Sequence, residues 1–159
     1  MHFEPRFDYQ HAWAPGYGAM YDFSRAIAGG PLERPLVELI KLRASQINGC
    51  AYCIDMHWKT ARAAGETEQR LAALPAWRET AFFTERERAA LQLTESVTLI
   101  ATTHVPDHEM DVARAAFTEE ELAQLIYAIA NINAWNRIAV AARPAVGGYQ
   151  PGERLSIGN

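Results

Sequence analysis

No stretch of this 159-residue chain suits a membrane: although hydrophobic residues make up 49% of it, no run approaches the ~18 to 20 consecutive apolar residues that a span requires. A membrane partner is therefore not expected. Basic excess is missing too, with 15 Lys and Arg against 19 Asp and Glu, a net charge of −4, and the cations scattered among acids. Without a basic stripe to neutralise phosphates, nucleic acid is not an expected partner either. The N-terminus, Met1-His2-Phe3-Glu4-Pro5-Arg6, lacks the basic and then apolar regions of a secretory signal, so the expected compartment is the reducing cytoplasm. Strand alternation between hairpin turns is absent, and so are low-complexity segments. What remains is an all-α fold class with a bundle-like core, in a chain long enough to bury roughly two-thirds of the surface it exposes when unfolded.

Cysteine is scarce: there are two, Cys50 and Cys53. A bridge between them closes too small a loop to staple anything, and in a reducing compartment a pair at this spacing is more often redox-active or metal-binding. At roughly 100° per residue of helix, Cys50, Cys53 and His57 share one stripe, because i, i+3 and i+7 are vertical neighbours. A thiol attacks only as thiolate, and its pKa falls near a helix N-terminus or beside a base. Cys50 has the first and Cys53 the second. A sulfenic acid formed on one sulfur condenses with a thiol one turn away, and an external dithiol then reduces the disulfide. A neighbouring base shifts a thiol more than a helix dipole does, so Cys53 is the expected attacking sulfur and Cys50 the resolving one. Glu38, on the preceding antiparallel helix, is the expected partner that holds or deprotonates His57.

Taken in order, residues 1–16 read as an extended N-terminal arm, with Phe3, Phe7, Tyr9 and Trp13 as apolar anchors and Pro5, Pro15 and Gly16 as breakers. The domain proper spans 17–144. It opens with a helix over 17–28 stopped by Gly29-Gly30-Pro31, followed by one from Pro35 to Asn48. The motif helix runs over 50–64, with Asn48 as its N-cap and Gly65 as its stop. A short helix over 67–74 ends at Pro75, and residues 77–83 form a brief turn or helix. Thr84-Glu85-Arg86-Glu87 is a capping box that opens a long helix through Ala101. A further helix covers 108–116. Thr118-Glu119-Glu120-Glu121 caps the most apolar helix, 119–142, which is expected at the centre. Residues 145–159 form an irregular, Gly- and Pro-containing tail. Asn131, Asn133 and Asn136 on the apolar helix call for buried partners. Trp58, Trp77, Tyr127 and Trp135 read as core or subunit interface, and Arg86, Glu87, Arg88 and Glu119 to Glu121 as solvated helix starts.

Rival readings of the cysteines are inert buried thiols and a zinc set completed by His104 and His108. Against zinc, the pair lies at a helix start and not in a tight knuckle. Covalent haem is excluded because Ile54 and not His follows Cys53, and no βαβ pattern supports a thioredoxin-type fold. Glu38, Cys50-Ala51-Tyr52-Cys53 and His57, with Leu42 to Gly49 and the later Asn131-Ile132-Asn133-Ala134-Trp135-Asn136-Arg137, resemble the AhpD-like alkylhydroperoxidase branch of the carboxymuconolactone decarboxylase superfamily over residues 15 to 145. The resemblance implies a helical homo-oligomer, a trimer or hexamer, that needs no cofactor or metal. It also implies thiol-dependent reduction of a small hydroperoxide through Glu38, His57, Cys53 and Cys50, with a dithiol or thiol-protein reductant. Tyr52 stands where the founding members carry a second histidine, and a phenol does not relay protons at neutral pH as imidazole does. True carboxymuconolactone decarboxylases lack the redox pair, which makes lactone or decarboxylation chemistry the weaker enzymatic reading. Outside enzymes, the rival is a non-catalytic, redox- or zinc-responsive oligomeric module.

Overall fold

The structure, a computed structural model, describes residues 4–152, and their regular structure is entirely helical. Phe3 and residues 153–159 of the tail lie outside them. The elements in chain order are α1 (Tyr9–Ala12), α2 (Ala14–Ala28), α3 (Arg34–Asn48), α4 (Ala51–Ala63) and α5 (Glu68–Ala73). A 3₁₀ turn (Leu74–Glu79), α6 (Glu85–Thr98), α7 (Ile100–Thr103), α8 (Asp107–Ala116) and α9 (Glu119–Ala142) follow. No helix among the described residues is long and apolar enough to cross a membrane.

The hub is α3 rather than α9. Eight of its 15 residues are buried, and it packs against α4, α6 and α9. On one side Leu36, Val37 and Ile40 meet Ala90 and Leu93 of α6, Ala113 of α8, and Leu125 and Ile129 of α9. On the other, Leu39 and Leu42 meet Ala61 of α4, Leu71 of α5, Leu74 and Trp77. Each fully buried leucine or isoleucine contributes about 2 kcal/mol. Helix α9 is more apolar overall, yet it leaves Tyr127 and Val140 exposed, with Tyr127 meeting the Phe23 ring edge-on.

Local chemistry sets the helix ends. Both capping boxes form as read, with Thr84 and Glu87 at α6 and Thr118 and Glu121 at α9 each closing reciprocally. Gly49, at φ 65°, ends α3 in the left-handed conformation that glycine tolerates without strain. Helix α3 therefore keeps Asn48 as its last residue, and the N-cap of α4 is Cys50, whose Sγ accepts from the Cys53 N–H at 3.4 Å. The helix expected to reach Ala101 ends at Thr98. Thr103 Oγ1 donates to the Ser96 carbonyl and Thr102 Oγ1 to that of Leu99, which lets the chain bend there.

The arm is less extended than its prolines suggest. Asp8 caps a turn at Tyr9–Ala12, and α2 begins at Ala14 because Pro15 suits a first helical turn. Ahead of it, the Arg6 N–H donates to the Ala142 carbonyl and its guanidinium to that of Ala141, both at 2.9 Å. The arm thus supplies donors and a cation to the exposed carbonyl end of α9 in its own chain. Arg86 and Arg88 are not simply solvated. Arg86 bridges Glu33 and Glu121 and reaches the Ala116 carbonyl, while Arg88 donates to the Trp77 and Thr80 carbonyls, so these side chains tie loops to helix starts.

Candidate active site

The turn at Gly49 folds α4 back along α3, and that hairpin assembles the site. Cys50 and Cys53 are almost fully buried and form a disulfide, with Cα atoms 5.4 Å apart. The Cys50 N–H donates to the Ser45 carbonyl at 3.0 Å, which anchors the start of the motif to α3. One turn beyond Cys53, His57 is buried with its Nδ1 2.8 Å from Glu38 Oε2, a pair separated by 19 residues of chain. Lys41, one turn along α3, stands 3.5 Å from the other carboxylate oxygen.

Burial opposes ionisation of Glu38, but the hydrogen bond from His57 and the charge of Lys41 outweigh it and hold the carboxyl well below its ordinary range. As a carboxylate, Glu38 only accepts, so His57 Nδ1 carries the proton and donates. Burial pushes the imidazole below its ordinary value, against the pull of Glu38, which keeps it neutral near pH 7. His57 Nε2 is then a free lone pair, and it is a buried atom without a hydrogen-bond partner among the described residues. The arrangement is a base whose orientation and tautomer are fixed by a carboxylate.

Cys53 and His57 line one cavity of about 140 Å³ between α1, α2, α3, α4 and α9. Its walls include Tyr9, Tyr17, Tyr21, Tyr52 and Trp135. Burial pushes the Tyr17 phenol up to about 12 and raises that of Tyr52, so these rings stay neutral. Cys50 is absent from that cavity. It opens instead on a groove of about 700 Å³ formed with Arg6, Val140, Arg143, Pro144 and Val146. Tyr52 lines both spaces.

The four residues singled out from sequence, Glu38, Cys50, Cys53 and His57, are brought together. The asparagines of α9 find partners: Asn48 Nδ2 donates to Asn133 Oδ1 and Asn136 Oδ1, both at 2.9 Å, and Asn136 Nδ2 donates to Ser45 Oγ at 3.0 Å. They lock the last turn of α3, just before the cysteines, onto α9. Lys41, Tyr17, Tyr21, Ser24 and the cavity role of Trp135 are what sequence reasoning missed. The i, i+3 spacing of Glu38 and Lys41 was a signal for the first of them. His104 and His108 are exposed, and no group of three or more His, Cys, Asp or Glu among the described residues is arranged to hold a metal ion. The zinc set built on them is not formed. Of the aromatic residues read as core or interface, Trp77 is buried whereas Trp58 and Tyr127 are exposed.

Residues 14–96 match the model of the carboxymuconolactone decarboxylase family. The chain is 43% identical over 136 residues to the uncharacterized protein YdfG of Bacillus subtilis (strain 168), covering 86% of this chain and 92% of that one. Its fold superimposes on a protein of unknown function from Agrobacterium tumefaciens, named provisionally after the antioxidant defence protein AhpD. The TM-score is 0.86 and the identity 41%, over 94% of this chain and 100% of that one. An uncharacterized peroxidase-related protein from Ralstonia eutropha JMP134 shares the fold alone, at a TM-score of 0.77 and 20% identity over 87% of this chain and 74% of that one.

Proposed function

The chain belongs to the AhpD-like branch of the carboxymuconolactone decarboxylase family, and from that premise we propose that it is a thiol-dependent peroxidase. The observation that carries this reading is the shared cavity of Cys53 and the unpartnered His57 Nε2, with Cys50 facing a different space. In the reduced protein His57 Nε2 takes the Cys53 proton, and the thiolate attacks the terminal oxygen of a hydroperoxide. An S–O bond forms as the O–O bond breaks, and the leaving alkoxide takes the proton from His57 and departs as an alcohol. Cys50 then attacks the sulfenic sulfur, forming the disulfide and releasing water with its own proton. An external dithiol or thiol protein reduces the bridge and is itself oxidised to a disulfide.

The assembly belongs to the same proposal: a homo-oligomer, trimer or hexamer, in which copies cover exposed side chains such as Phe7, Trp13 and Tyr127. Light scattering at micromolar concentration checks it, and a monomer counts against it. The activity itself is checked by following steady-state consumption of an organic hydroperoxide with a dithiol in excess. Many turnovers per protein are expected. A protein that oxidises once and never cycles is a redox-responsive module and not an enzyme.

A further inference from the structure

Two buried polar atoms on the cavity's residues have no hydrogen-bond partner among the described residues, and only one of them is used by the proposed reaction. His57 Nε2 is the base. The other is Asn131 Nδ2, on a residue only 2% exposed. Buried amide donors are rarely left unpaired, and an orphan beside an empty volume marks the place of a ligand atom. The opposite end of the same amide lies against Ser24: Asn131 Oδ1 is 3.1 Å from Ser24 Oγ, whose single proton is shared between it and the Met20 carbonyl, also at 3.1 Å. Trp135 Nε1 donates to Ser24 Oγ at 2.9 Å. Trp135 and Ser24 thus hold the oxygen side of the Asn131 amide in place, and its Nδ2 is the atom left without an acceptor among the described residues.

The rest of the wall defines the body of the ligand. Tyr17 stands edge-on to Trp135 with ring centroids 5.6 Å apart, and Tyr21 and Tyr52 complete an aromatic lining that suits another ring. A space of about 140 Å³ is close to that of an engineered cavity that holds benzene, and it does not hold a long acyl chain. The nearby charges, Glu38 and Lys41, face each other at 3.5 Å, so an ionised ligand finds no unengaged counter-charge.

We infer that the cavity binds a small uncharged aromatic hydroperoxide with an acceptor oxygen on its ring, the peroxide group lying against His57 Nε2 and the ring oxygen accepting from Asn131 Nδ2. The hydroperoxide group rests on the peroxidase reading. The aromatic body and the Asn131 contact rest on the cavity alone.

Unreactive alcohols separate the two. Binding of para-methoxybenzyl alcohol, its isostere para-ethylbenzyl alcohol and octanol to the full-length reduced protein is followed by tryptophan fluorescence and ligand-observed NMR. The methoxy compound is expected to bind about five-fold more tightly than the ethyl one, the scale of one neutral hydrogen bond, with octanol weakest. In Asn131→Leu the methoxy preference over the ethyl compound disappears. The wild-type comparison decides even if that variant does not fold: equal binding of the isosteres, or tighter binding of octanol, overturns the inference. Turnover of the two corresponding benzyl hydroperoxides with a dithiol is measured in parallel. A methoxy preference in binding without any turnover removes the peroxide group and the peroxidase reading but keeps the ring site. Turnover without an isostere preference keeps the enzyme and removes the Asn131 contact.

Discussion

The two sulfurs of the motif stand three residues apart and open onto opposite kinds of space. Cys53 shares an aromatic cavity of about 140 Å³ with a neutral histidine, whereas Cys50 faces a groove of about 700 Å³ whose walls include Arg6 and Arg143. The difference follows from helix geometry. Cys50 is the N-cap, outside the first turn and beside the Gly49 bend, while Cys53 lies within α4 on the face that meets Ile132 of α9. One residue is thus positioned by a helix interior and the other by a chain reversal. Peroxide chemistry suits the enclosed side, where a base works without competing water, and exchange with a bulky thiol suits the open side.

Removing each sulfur in turn is the strongest way to break this comparison. Cys53→Ser is expected to lower peroxide turnover by at least about 10³-fold, to background, as loss of a nucleophile does. Cys50→Ser is expected to react once with peroxide and stop. With one equivalent of peroxide and a sulfenate-trapping dione, label should appear at Cys53 of the Cys50→Ser protein and not in Cys53→Ser. Labelling confined to Cys50 would reverse the roles of the two spaces.

The enclosed side depends next on its base. His57→Gln is expected to lose roughly 10² to 10⁴-fold in turnover, the usual contribution of general base catalysis. Glu38→Gln still offers Nδ1 an acceptor but removes the charge that pulls the imidazole upward, so the acidic limb of the kcat/KM profile should move to lower pH. Stability has its own sign. Both groups have folded pKa values below their ordinary ones of 6.5 for His57 and 4.5 for Glu38, so the unfolded chain binds more protons as pH falls. Their contribution is complete above about pH 6.5 and is lost progressively below it, first through His57 and then, below pH 4.5, through Glu38. Urea midpoints taken from pH 7.5 downward should fall in that order, and the fall near pH 6 should vanish in His57→Gln.

A smaller effect belongs to the pin between α3 and α9. Asn48→Ala removes the donor to Asn133 Oδ1 and Asn136 Oδ1, and since Arg137 also serves Asn133, the Asn136 oxygen is the one left short. A cost of about 1–3 kcal/mol is expected in denaturant unfolding, the range for an unpaired buried polar group. Because the pin precedes both cysteines, single-turnover oxidation should slow together with the loss of stability, whereas a change confined to Cys50 reduction would place the pin on the open side alone.

Much of the site was legible because it is local. The spacing of Cys50, Cys53 and His57 needs only helix periodicity, and Glu38 needs only that α3 and α4 run antiparallel across Gly49. The capping boxes at Thr84 and Thr118 are equally local, and both formed. What was not legible depends on distant packing or on competing local bonds. Tyr17, Tyr21 and Ser24 reach the cavity because α2 docks on α9, and Tyr9 because the arm folds onto its own chain; neither is encoded in the periodicity of those segments. The break at Leu99 has no Gly or Pro to announce it, since threonine hydroxyls take the released carbonyls. Asn48 looked like a cap by residue type, but it closes α3 as its last residue, and the left-handed turn at Gly49 hands the cap of α4 to the Cys50 sulfur.

Tyr52 tests whether the two spaces are separated by more than shape, and the expected effect is the smallest. Its ring lines both the cavity and the groove, and burial raises its phenol above the ordinary value of 10. At neutral pH the hydroxyl therefore neither accepts nor releases a proton on the reaction coordinate, and the ring acts as a wall. Tyr52→Phe keeps the wall and is expected to leave both Cys53 oxidation and disulfide reduction within about two-fold of the parent, as an exposed or half-buried isosteric change should. Tyr52→His keeps part of the wall but adds a group that titrates near neutrality, in contact with both spaces. Disulfide reduction should then gain a pH dependence between about pH 6 and 7 that the parent lacks, because the new imidazole can give a proton to the Cys53 thiolate that departs when the reductant attacks Cys50. Stopped-flow reduction of the oxidised proteins by a dithiol across that range is the measurement. If Tyr52→Phe slows reduction ten-fold or more, the phenol takes part in proton movement, and the division into a reactive side and an exchange side fails at the residue that borders both.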